Sequence, residues 1–325
     1  MYNGRDMVLL HIGHEHLSRA TSFSDFLTKW ELSPYVLIPL TAILGAYLVG
    51  SWRLRSRTKY PTATGARDLL YFGGFATLLL ALVSPIGVYA GDLFFMHMVQ
   101  HLLLMMVAAP LLLLASPMAN ILWAFPQGVR HWLGGTVNRS GVLRRILQGA
   151  TVPIIAWLIF VVTVWVWHTP AVYNAALASE GVHALEHLTM FGAAVVFWWP
   201  VVGPAPIRSY LPYPMRFLYL FLALFQNIIL GAILTFGDAP VYSHYENAPA
   251  HWGIDSAFDQ QLGGILMWIP GAMMYFTAMA ILFFAWLEQE ERQSAKWQKA
   301  QEARRRYLAQ MGAHTNLPDA GGPNA

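Results

Sequence analysis

Seven apolar stretches, each close to the length of a bilayer crossing, constrain this chain more than any other feature of its sequence. A hydrocarbon core about 30 Å thick asks for about 20 apolar residues at a helical rise of about 1.5 Å per residue. Residues 34–52, 68–90, 93–115, 151–168, 183–202, 214–236 and 262–287 meet that requirement. In hydrocarbon every backbone N–H and C=O needs a partner inside the protein, so stretches of this kind fold as helices. The fold class expected is therefore an all-α integral membrane protein, a bundle of about seven transmembrane helices. Composition agrees, since only 11% of residues are charged, against about 25% in a soluble domain. Three regions follow: an outer segment at 1–33, a transmembrane domain at 34–287, and a basic helical tail at 288–325 with a disordered end.

Lysine and arginine fix the expected orientation. Arg53, Arg55, Arg57, Lys59 and Arg67 lie between helices 1 and 2, and Arg130, Arg139, Arg144 and Arg145 between helices 3 and 4. Arg208 and Arg216 follow helix 5, and the tail holds Arg292, Lys296, Lys299 and Arg304 to Arg306, whereas the connections after helices 2, 4 and 6 have neither residue type. The N-terminus is expected outside and the C-terminus in the cytoplasm of a multi-pass protein of the bacterial cytoplasmic (inner) membrane. This distribution also accounts for the net charge of +3, so nucleic acid is not an expected partner and membrane lipid is. The first twenty residues lack an apolar run of signal-peptide length, and helix 1 is expected to begin insertion itself. The chain has no cysteine, which excludes disulfides and thiolate metal sites.

With sides assigned, ten of the twelve histidines fall outside or near the outer helix ends, all but His131 and His314. Helix 3 carries His97 and His101, an i, i+4 pair whose rings share one face, with Met105 the next turn along. Helix 5 carries His183, Glu186 and His187, with Met190 one turn deeper, and helix 4 ends at His168. Buried ionisable groups in a membrane segment are costly, face the bundle interior and mark functional sites. Two histidine pairs at one depth predict a metal centre drawn from His97, His101, His168, His183, His187, Met105, Met190 and Glu186. Imidazoles suit copper, zinc and iron, and thioethers shift the choice towards copper, Cu(I) above all. Glu186 is read first as a group that orients an imidazole, with direct ligation of the ion or a structural hydrogen bond as the alternatives.

Each feature also has a plainer reading. A single histidine here would serve equally well as a hydrogen-bonding residue between helices, and most methionines in such helices are apolar filler. His-x-x-Glu-His matches an inverted metallopeptidase motif, but five residues carry little specificity. The cluster His11, His14 and His16 could capture a metal loosely. Asp238, His244, Glu246, His251, Asp255 and Asp259, between helices 6 and 7, read mainly as a solvated acidic surface.

The blocks His97-Met-Val-Gln-His101, Trp167-His168-Thr-Pro-Ala-Val-Tyr173, His183-Ala-Leu-Glu186-His187 and Asp259-Gln-Gln-Leu-Gly-Gly264 together resemble the polytopic CtaG-like cytochrome c oxidase assembly factors, a copper-associated family. The resemblance implies a non-enzymatic role in maturing a haem-copper oxidase: copper delivered to or positioned for oxidase subunits in the membrane, with other copper chaperones outside as further partners. The family's motif positions here are His97, His101, His168, His183 and His187, with Glu186 and Asp259. A cysteine-dependent, single-span copper chaperone that shares the CtaG name is a different protein. Competing readings are a membrane di-metal oxidoreductase built on His-x-x-x-His boxes and a copper importer.

Overall fold

The computed structural model describes residues 27–57, 65–138, 142–204, 211–247 and 249–315. Among them there are helices and no strand. The chain runs through α1 (Pro34–Arg57), α2 (Gly65–Val83), the short α3 (Pro85–Tyr89), α4 (Phe94–Leu102), a π-helical turn (Leu103–Ala108) and α5 (Ala109–Ala115). It continues with α6 (Met118–Trp123), α7 (Gln127–Asn138), α8 (Val142–Ala150), α9 (Pro153–Trp167), α10 (Pro170–Ala178), α11 (Glu180–Val202), α12 (Tyr213–Thr235) and α13 (Ser256–Thr315). Six of the helical segments are long and apolar enough to cross a membrane, and a seventh exists if α8 and α9 count as one broken span. The chain is an all-helical membrane protein.

The break before α9 has a local cause. Val152 precedes Pro153, whose ring disfavours the helical region at its neighbour, and Val152 is extended at ψ 127°. The axes on either side differ by 74°. The sequence expectation of one span over 151–168 thus resolves into a helix of 15 residues, about 22 Å long. At the other end of the chain, the residues expected as a polar helix from Glu288 are helical and continue α13 without interruption. The histidines at 11, 14 and 16 and the chain end expected to be disordered, from residue 316 on, lie outside the described residues.

Small residues and polar pairs bring the helices together, since lipid tails compete with any apolar contact. A Cβ on Gly264 would lie 2.7 Å from the Thr235 nitrogen, and one on Gly231 would lie 2.8 Å from Trp268 Cβ, so α12 and α13 cross at near-backbone contact. A Cβ on Gly263 would sit 2.3 Å from the Phe94 ring, which seats α13 equally closely on the start of α4. Leu93 at the N-cap of α4 has no capping side chain. Asp259 of α13 supplies the acceptor instead: its carboxylate takes the Phe94 N–H at 2.8 Å and the Phe95 N–H at 3.1 Å. Asp259 is fully buried and so departs from the solvated acidic surface expected for that connection. The same contact fixes where α4, and hence its histidine pair, begins.

Candidate metal centre

His97 and His101 lie on consecutive turns of α4, and Glu186 and His187 come from the first half of α11. His97, His101 and Glu186 are fully buried or nearly so. The two Nε2 atoms of His97 and His101 are 3.0 Å apart. Glu186 presents one oxygen 3.7 Å from His97 Nε2 and the other 3.7 Å from His101 Nε2. Ring centroids of His187 and His97 are 5.8 Å apart, and those of His187 and His101 are 5.5 Å apart. One ligand atom from each of these four residues falls within 4.8 Å of all the others. Ligands held about 2.0–2.2 Å from one ion lie at most about 4.4 Å from each other. In a tetrahedral site such ligands lie about 3.4 Å apart, so side-chain adjustments that draw the wider pairs together would bring all four into one coordination sphere.

The hydrogen-bond pattern around these rings leaves donor atoms free. The Tyr245 hydroxyl gives its single proton to the Ala90 carbonyl at 2.5 Å, and burial pushes this phenol well above its usual range, so it stays protonated. Its 3.2 Å contact with His97 Nδ1 is therefore one in which the ring N–H donates to the phenol oxygen. In the neutral ring Nε2 is then bare and accepts at 3.0 Å from His101 Nε2–H, a proton that a bound cation would displace. His168 is fixed in the same way, since its Nδ1 contacts the Val164 carbonyl, which can only accept, at 2.7 Å. Buried atoms without a hydrogen-bond partner include His101 Nδ1, the Nε2 atoms of His168, His183 and His187, and both oxygens of Glu186. Buried polar atoms are nearly always paired. The orphaned His187 nitrogen and Glu186 carboxylate, beside the His97–His101 pair, fit a bound cation, which would satisfy them together.

The eight sequence candidates divide accordingly. His97, His101, His187 and Glu186 form the group, with Glu186 in a position to bind directly rather than only to orient a ring. His183 lies at the edge, its ring 4.3 Å from that of His187 and 5.2 Å from that of His97. The His168 ring is 6.2 Å from that of His101 and outside the group of four. Met105 does not continue the His97/His101 stripe, because the helix widens at Leu103 into a π turn and the α period no longer applies. Its carbonyl takes the Trp198 indole N–H at 2.9 Å, and its side chain lines a separate cavity with His101 and His168. Met190 is packed in the apolar core.

Three tyrosines missing from the sequence candidates roof the cluster. Tyr173, Tyr242 and Tyr245 are buried around Phe94, with the Tyr173 and Tyr242 rings stacked at 4.1 Å and the Tyr173 ring 5.2 Å from His97. Tyr242 and Tyr245 belong to the connection between α12 and α13, where no periodicity exists to announce them. Of the acidic residues in that connection, Asp255 caps α13 by accepting the Ala257 and Phe258 N–H groups.

Residues 45–289, the stretch that contains every member of this cluster, match the family described as cytochrome c oxidase caa3 assembly factor (Caa3_CtaG). The chain belongs to this family. Similar curated proteins are uncharacterised proteins of Mycobacterium bovis and Mycobacterium tuberculosis, each 23% identical over 294 residues, covering 88% of this chain and 43% of theirs. Another from Mycobacterium leprae is 24% identical over 292 residues, covering 86% of this chain and 43% of its own. The chain thus spans less than half the length of the curated relatives it matches. No solved structure matches it. In this member of the family, three histidines and a glutamate converge between the first turns of α4 and α11.

Proposed function

We propose that this assembly factor acts as a non-enzymatic copper carrier for a haem-copper cytochrome c oxidase. His97, His101, His187 and Glu186 hold the ion, His183 stands at the edge of the site, and the metal passes to an oxidase subunit in the same membrane. The observation that carries this reading is the convergence of three imidazoles and a carboxylate on one point, with His187 Nε2 and both Glu186 oxygens buried and without a hydrogen-bond partner. An imidazole and carboxylate set without thiolate binds copper well while leaving it transferable. The distribution of Lys and Arg supports a multi-pass arrangement in the bacterial inner membrane with the site towards the outer face, the side on which externally supplied copper arrives.

The test is the metal content of the full chain purified in detergent and loaded with copper, for wild type beside His97→Ala/His187→Ala. Copper near one equivalent or above in the wild type, with one equivalent missing from a variant of unchanged helix content, supports the assignment. Copper that stays undiminished in the variant, or zinc or iron retained against excess copper, overturns it.

A further inference from the structure

A small cavity of about 20 Å³ lies between α4, the π turn, α9, α12 and α13, room for one water-sized guest. Its lining includes Met98, Met105, Met106 and Met267 together with His101 and His168, and contains no carboxylate. Beside the histidine–glutamate cluster, the chain therefore builds a second pocket of different chemistry: thioether sulfur in place of carboxylate oxygen. His101 belongs to both. Two local features set this pocket apart from methionine used as packing filler. His168 is 6% exposed, its Nδ1–H is committed to the Val164 carbonyl, and its Nε2 is buried with no partner. The wall that carries Met105 and Met106 is the π turn, a rare geometry that recurs at functional sites, and both side chains are buried there.

We propose that this cavity is a second metal station, selective for a soft monovalent cation of the Cu(I) class, with His168 Nε2 and thioether sulfurs among Met98, Met105, Met106 and Met267 as its ligands. Neutral thioethers and imidazole bind soft cations well and hard divalent ions poorly. The shared His101 makes a path: an ion leaving the cluster exchanges one ligand set for the other by way of a ring that faces both. The inference rests on the copper reading of the cluster for the identity of the cargo, but its proposed ligands, His168 and the methionines, lie outside the cluster of four, so the two stand or fall on different variants.

The experiment uses the full chain in detergent, loaded anaerobically with Cu(I), with copper content and X-ray absorption measured for three proteins. They are wild type, the volume-conserving Met105→Leu/Met267→Leu, and Glu186→Gln/His187→Ala. Two equivalents in wild type with sulfur neighbours in the absorption spectrum are expected. The methionine variant should lose the sulfur signal and one equivalent, and the cluster variant should keep the sulfur signal and lose the other. A fourth protein, His168→Gln, which retains polarity, should lose the same equivalent as the methionine variant. One equivalent in wild type with nitrogen and oxygen neighbours alone would overturn the second station while leaving the cluster intact, as would a sulfur signal unchanged in the methionine variant. Sulfur-bound copper present in all three proteins at equal amounts would overturn both assignments.

Discussion

Replacing Glu186 by Gln should move stability and metal affinity in opposite directions, and the sign separates a metal ligand from a structural ion pair. Glu186 is buried, and neither oxygen has a hydrogen-bond partner. If its role is to meet a cation, the metal-free protein carries an uncompensated buried carboxylate, and a neutral amide of the same shape relieves about 1–3 kcal/mol of desolvation. If instead an imidazolium at His97 or His101 balances the charge across the 3.7 Å gap, that attraction is about 4 kcal/mol at an effective dielectric near 20. Breaking such a pair costs about 3–5 kcal/mol. Thermal unfolding in detergent with a chelator present, followed by tryptophan emission, distinguishes them. Glu186→Gln should melt above wild type without metal and gain less from added copper, with a Kd weaker by about 10- to 100-fold. A variant that melts below wild type in chelator would refute the reasoning, because the carboxylate would then already be balanced by protein charge.

Three further outcomes follow from the contacts around the cluster. Tyr245→Phe removes the oxygen that accepts the His97 Nδ1–H and should weaken copper binding by about 10- to 100-fold, measured by competition with a chromophoric chelator, while the helix content stays unchanged. Asp259→Asn leaves a competing amide against the Phe94 and Phe95 N–H groups and should cost about 1–3 kcal/mol, read as a lower melting temperature with a weaker Kd although the residue does not touch the site. Gly263→Ala drives a methyl group into the buried Phe94 ring and should cost about 1–3 kcal/mol by overpacking; chemical denaturation in detergent reads this loss, and an unchanged midpoint would mean that α13 and α4 are free to separate.

Much of this architecture was legible in the residues because a bilayer imposes a single solution on a long apolar run. The stretches from Pro34, Asp68, Leu93, His183, Pro214 and Leu262 onwards coincide with helices of spanning length, since an unpaired backbone group in lipid is too costly to permit anything else. The i, i+4 spacing of His97 with His101, and of His183 with His187, likewise assigns each pair to one helical face with no knowledge of the fold. Met105 is different: its α-helical stripe assumes a constant period, and the π turn at Leu103 breaks it. Asp259 read as a surface acid because sequence carries no record of an N–H pair left uncapped on another helix at Phe94 and Phe95.

The sequence by itself determined the solvent this chain folds in, the helices that cross it and the residue types available to bind metal, because each is a local consequence of hydropathy, helical period and side-chain chemistry. The tertiary structure alone decided that His97, His101, Glu186 and His187 share one point while His168 and Met105 face another. That division depends on the angle and depth at which α4, α9 and α11 meet. Those are set by close approaches such as Gly263 against Phe94 and by the Asp259 carboxylate reaching across 165 residues of chain to hold the first turn of α4.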